Sequence, residues 1–77
     1  MELNDFISKF ANLFEETDPA TITADTVYSQ LEEWDSVMVL SLISMIDEEF
    51  GVALTGNEMK SAVTIQDLFN TVQARLA

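Results

Sequence analysis

Asp35-Ser36-Val37-Met38-Val39-Leu40-Ser41-Leu42-Ile43-Ser44-Met45-Ile46-Asp47-Glu48-Glu49-Phe50-Gly51 is the stretch that decides the fold. Val39, Leu42, Ile43, Ile46 and Phe50 recur at spacings of three and four, the period of a helix with one core-facing stripe. The 15 residues from Ser36 to Phe50 predict a rod, about 22 Å long at 1.5 Å per residue. Both ends carry local signals. An oxygen of Asp35 or Ser36 caps the free amides at the start, and Gly51 is the usual left-handed stop. Ser36 thus stands beside a carboxylate where a polar loop gives way to a long helix.

Working outward, Leu3, Phe6, Ile7, Phe10, Leu13 and Phe14 form one helical stripe, which predicts a first helix over residues 3–16 closed by Asp18-Pro19. Residues 17–35 mix Thr, Asp, Ser and a Pro with scattered apolar side chains. They read as a long ordered loop, pinned to the core by Ile22, Val27, Tyr28, Leu31 and Trp34, with room for one short helical turn. Downstream of Gly51, Val52-Ala53-Leu54 is extended. Thr55 with Glu58 three residues later is a capping box that opens a short helix to about Ala62. Thr64 with Asp67 repeats the idea more weakly before a last helix carrying Ile65, Leu68, Phe69, Val72 and Leu76. The expectation is an all-α fold, a small four-helix bundle of three main helices and one short one, with a long loop between helices one and two. No repeat, low-complexity tract or linker interrupts it, so residues 1–77 are read as a single domain.

Composition narrows the function classes. The chain of 77 residues is at the lower end of what folds without staples, and it has no cysteine to supply a disulfide or a thiolate metal site. It has no histidine, which removes the usual general base and the commonest transition-metal ligand. No catalytic residue is expected. No apolar run approaches the ~18 residues of a membrane span, and the N-terminus lacks a basic signal region. A cytoplasmic protein is the expectation. The net charge is −11, and residues 10–59 hold eleven acids without a base. Such a field repels nucleic acid and anionic lipid and attracts proteins with basic patches. It also keeps a small domain soluble, and a monomer is expected.

Three constellations bear on chemistry. The acid clusters Glu15-Glu16, Glu32-Glu33 and Asp47-Glu48-Glu49 lack the alternating ligands and central glycine of a calcium loop, so no metal site is assigned. Gly51 and Gly56 are isolated and make no phosphate-cradling loop. Ser36 has no nearby base to activate it and cannot be a self-sufficient nucleophile. It can be the acceptor in a reaction that another enzyme catalyses, because a helix start favours an attached phosphate. Taken alone, Asp35-Ser36 is an ordinary N-cap.

The context of that dipeptide is more specific. Leu31-Glu32-Glu33-Trp34-Asp35-Ser36-Val37, followed by Leu40, Leu42, Ile43, Ile46 and Asp47-Glu48-Glu49-Phe50-Gly51-Val52, resembles the acyl carrier protein family. In that family an Asp-Ser-Leu motif opens the second helix, which closes on an acidic Glu-Glu-Phe-Gly-type end. The resemblance extends to an apolar first helix, a long loop, a short third helix after an extended piece, and a fourth helix near Thr64-Ile65. It implies that Ser36 accepts 4′-phosphopantetheine from coenzyme A through a separate phosphopantetheinyl transferase with its own magnesium. The arm's thiol would carry an acyl group as a thioester, so the absence of cysteine ceases to be a puzzle. Asp35 matches the motif acid. The implied partner face is Val37, Leu40, Ser41, Ser44, Asp47 and Glu48, read by acyl-handling enzymes with basic docking patches. The implied acyl-chain cavity is Val39, Leu42, Ile46, Met59 and Ala62, spacings that equally describe a packed core.

Departures from the family pattern bear on which carrier this is. Glu33 stands where many fatty-acid carriers have a glycine, and Val37 where they have a leucine. Met38, Ser41 and Ser44 replace acids or bulkier apolar residues in the middle of the second helix, a departure that speaks against use by general fatty-acid synthesis and for a dedicated partner set. Fatty-acid or related lipid biosynthesis is the first reading. An aminoacyl or polyketide-type carrier of a specialised pathway is the alternative, as is an acidic interaction module that is no longer loaded.

Overall fold

α1 (Leu3–Ala11) ends sooner than its apolar stripe. The computed structural model describes residues 2–76, and in it the expected extension to residue 16 is corrected. Past Ala11, the Leu13 and Phe14 amides donate to the Phe10 and Ala11 carbonyls at 3.2 and 3.0 Å, a tight i→i+3 turn. The next three amides, from Glu15 to Thr17, leave the helical ladder for a side-chain acceptor elsewhere in the chain. Phe14 nevertheless stays buried. Asp18 is therefore a cap and not a stop: its carboxylate accepts from the Ala20 amide at 3.0 Å and opens a 3₁₀ turn, Pro19–Thr21. A second 3₁₀ turn, Tyr28–Gln30, follows in the same loop, where one turn was expected.

α2 (Ser36–Phe50) has the predicted bounds. Asp35 is the residue that caps it. Gly51 closes it at φ 70°, donating its N–H to the Asp47 carbonyl at 2.9 Å. Leu42, Met45 and Ile46 are its buried side chains; burial of Leu42 and Ile46 contributes about 1.5–3 kcal/mol each. α3 (Gly56–Ser61) starts with the complete capping box of Thr55 and Glu58. α4 (Ile65–Leu76) buries Ile65, Leu68, Phe69 and Val72. Leu76, expected on the same stripe, is 47% exposed, because it lies in the last turn beyond the core-facing part of the helix. Among the described residues these four α-helices and the two 3₁₀ turns are the regular elements, an all-α bundle.

Aromatic rings carry the packing from α1 to the start of α2. Phe6 sits between Phe50 and Phe69, each ring centroid 5.6 Å away, which joins α1 to the end of α2 and to α4. Phe10 stacks on Phe14 and meets Tyr28 edge-on, and Tyr28 meets Trp34 at 4.9 Å. The Tyr28 hydroxyl donates to the Met59 and Ala62 carbonyls at 2.6 and 3.0 Å, so it satisfies the end of α3 from the loop. The loop is also sewn to the start of α4. Val27 and Thr64 form an antiparallel bridge, and the Ile65 and Gln66 amides donate to the Thr26 and Ala24 carbonyls.

Candidate functional site

Three consecutive residues fix the approach to Ser36, each by a different contact. Trp34 is held inward by its ring on Tyr28 and by its amide, which donates to the Leu31 carbonyl at 3.0 Å. Asp35 is fully extended, φ −152° and ψ −176°, and its Oδ1 accepts from the Met38 amide at 2.8 Å. That geometry makes Asp35 the N-cap and leaves the Ser36 hydroxyl free of the capping role. Ser36 itself is exposed at the first position of α2. The first amides of a helix have no partner within it and carry its partial positive charge. An exposed hydroxyl in that field fits a covalently attached phosphate group.

Glu33 is the third anchor. Its Oε1 accepts from the Glu16 amide at 2.7 Å, from the Thr17 amide and from the Thr17 hydroxyl at 2.8 Å. Its Oε2 accepts from the Glu15 amide at 3.1 Å. Three successive backbone N–H groups thus form a nest for one carboxylate. Partial desolvation works against the charge, and the Thr17 hydroxyl with the three amides outweighs it, so the carboxyl is held below its ordinary value. Nothing in the sequence marked this role. The partners lie 16 to 18 residues back, and all but the Thr17 hydroxyl are backbone groups, which carry no residue-type signal.

Besides the hollow at the Glu33 nest, two concave surfaces hold expected site residues. A cavity of about 330 Å³ lies between the loop, α2 and α3, with Tyr28, Trp34, Val39, Met59 and Ala62 among its walls and Lys60 beside them. It brings together Val39, Met59 and Ala62 of the expected acyl-chain residues. Leu42 and Ile46 do not line it: they are 1% and 0% exposed, packed in the core. The second surface is a shallow groove along α2 that unites Val37, Leu40, Ser41, Ser44 and Glu48 with Leu13 from the turn after α1. Val37 and Leu40 are 67% and 65% exposed. Asp47 is exposed too but lies outside the groove. Met45 and Glu49 also line the groove and were not anticipated as part of it.

Among the described residues no group of three or more acids is arranged to hold a metal ion, and no helix is long and apolar enough to cross a membrane. A family model described as "phosphopantetheine attachment site" matches residues 5–72. Compared with curated proteins and with solved structures, the chain gives no match.

Proposed function

The chain belongs to the phosphopantetheine attachment-site family, carriers of the acyl carrier protein type, and from that premise we propose that Ser36 is the residue that bears the arm. The supporting observation is the exposed Ser36 hydroxyl at the start of α2, relieved of capping by Asp35. In loading, the Ser36 oxygen forms a bond to the 4′-phosphorus of coenzyme A. The pyrophosphate bond breaks and adenosine 3′,5′-bisphosphate leaves. The serine proton passes to a base of the transferase, since this chain has no histidine to take it. Once attached, the arm supplies a terminal thiol that holds an acyl group as a thioester. The chain's own residues position, present and shelter, and the catalytic groups belong to its partners. Asp35, with one oxygen on the Met38 amide, has the other available to orient the transferase or its magnesium.

Partners dock along the α2 groove. Val37, Leu40, Ser41 and Ser44 give that surface an apolar and hydroxyl-bearing middle, with Glu48 and Glu49 as an acidic end and the exposed Asp47 just outside it. A partner that fits presents an apolar contact flanked by a basic patch. This combination favours a dedicated partner set; fatty-acid, lipid or related biosynthesis in the cytoplasm is the setting we propose for it, with residues 1–77 as one monomeric carrier unit. The cavity lined by Val39, Met59 and Ala62 shelters the proximal part of the acyl chain, with Leu42 and Ile46 forming the core behind it.

Incubation with coenzyme A, magnesium and a broad-specificity phosphopantetheinyl transferase, followed by intact-mass measurement, tests the assignment. One phosphopantetheinyl group should be gained, and none by Ser36→Ala. An unchanged mass of the parent protein, or an undiminished gain in the variant, refutes it.

A further inference from the structure

We propose that Glu33 is a positioning residue for the loading of Ser36. Its carboxylate fastens the segment leading into α2 to the backbone turn that follows α1, and so fixes where the hydroxyl stands when a transferase docks. The inference rests on Ser36 being the acceptor.

The geometry carries it. Two carboxylate oxygens receive four donors, the amides of Glu15, Glu16 and Thr17 and the Thr17 hydroxyl. That fills the acceptor capacity of an ionised carboxylate almost completely. The neighbouring Trp34 is held at Tyr28, with ring centroids 4.9 Å apart. One anchor on a chain segment leaves it free to pivot, whereas two on different neighbours fix its direction. Ser36 lies only two residues after the second anchor, with the Asp35 cap between them. Most of the nest is at the surface: Glu15 and Glu16 are exposed. Water can therefore replace the acceptor when Glu33 is removed, and the buried core, to which Glu33 does not belong, is left intact. The loss falls on the orientation of the segment and not on the bundle.

Positioning and general destabilisation give opposite kinetic signatures. If a variant only populates the unfolded state, the transferase meets fewer competent molecules, and apparent KM for the carrier rises while kcat holds. If docking along α2 is intact and the hydroxyl is misplaced, kcat falls while KM holds. With coenzyme A and magnesium saturating, and the carrier concentration varied against a broad-specificity transferase, Glu33→Ala is expected to lower kcat about tenfold with KM within about twofold. Glu33→Gln retains an oxygen for Glu16 and Thr17 but sets an N–H₂ against the Glu15 amide, and a fall of about threefold is expected. A parental kcat in Glu33→Ala, or a loss confined to KM, overturns the proposal. If Glu33→Ala does not fold by circular dichroism, Glu33→Gln decides by the same criterion. A parent protein that takes up no phosphopantetheine refutes the Ser36 assignment, whereas a parent that loads normally beside an equally fast Glu33→Ala refutes only the role of Glu33.

Discussion

Asp35 has an observed role as a cap and a proposed role in loading, and substitution can separate them. As an N-cap it accepts the Met38 amide, and Asp35→Ala is expected to cost about 1 kcal/mol of stability in urea unfolding. Asp35→Asn retains an acceptor oxygen and should stay within a few tenths of a kcal/mol of the parent, yet it removes the charge that we propose orients the transferase or its metal. Its loading rate should therefore drop while its urea midpoint does not; equal loading by Asp35→Asn would reduce Asp35 to a cap. The cap was legible in the sequence because a capping residue and the amide it satisfies are three positions apart. Glu33 and the Tyr28 hydroxyl were not. Glu33 reaches back to Glu15–Thr17, and Tyr28 reaches forward to Met59 and Ala62, contacts made only by folding. Neither residue type foretells a backbone partner so far along the chain.

The same distinction governs the helices. α2 has the expected bounds because Asp35 and Gly51 are local signals, and α3 starts where its capping box is written. α1 stops at Ala11 although Leu13 and Phe14 continue its stripe. Apolar spacing reports which side chains are buried, and a tight turn buries them as well as a helix does. The ladder tightens at Leu13 and Phe14, and the Glu15–Thr17 amides, taken by Glu33, do not resume it, which is a tertiary event. On α2 the two faces should respond differently to substitution. Ile46, with no exposed surface, is expected to cost about 2–5 kcal/mol as Ile46→Ala, measured by urea unfolding. Leu40→Ser on the exposed face should leave stability nearly unchanged and weaken a cognate partner equally at low and high salt. Glu48→Lys should weaken the same partner chiefly at low salt, because mobile ions screen surface charge over about 10 Å at 0.1 M. Equal losses for Glu48→Lys at both salts would remove the acidic end of the groove from the docking surface.

At the scale of the whole molecule, stability should fall at both ends of the pH range. Glu58 is held below its ordinary value first by Arg75, at 2.8 Å, and then by the Thr55 amide. Asp67 is held down first by the Thr64 amide and then by that of Val63. Glu33 is depressed as described above. In each case the unfolded chain binds protons more readily. The stabilisation is complete above the ordinary carboxylate value near pH 4 and is lost as pH falls through the lower folded values. Glu58→Gln should therefore give a flatter acid limb in the urea midpoint than the parent. At the alkaline end burial, and then the charge of Asp67, push the Tyr28 phenol up to about 12. The folded value now lies above the unfolded one, so this stability is complete below pH ~10 and is lost as pH rises through the folded value. Two pH units correspond to about 3 kcal/mol at most, and Tyr28→Phe should lack that part of the alkaline decline. The bundle class and its four helices could be read from spacing and caps. The joining of the loop to α3 and α4 could not, since Tyr28, Ala24 and Thr26 find their partners only across the fold. The bridge between Val27 and Thr64 has a kinetic corollary. It encloses α2 and α3 within one closed circuit of chain, and closing a long circuit costs entropy before its own bonds repay it. Helix formation in α2 can thus precede circuit closure during folding, and the Ile65 and Gln66 amides, which complete the seam, should acquire hydrogen-exchange protection later than those in the middle of α2.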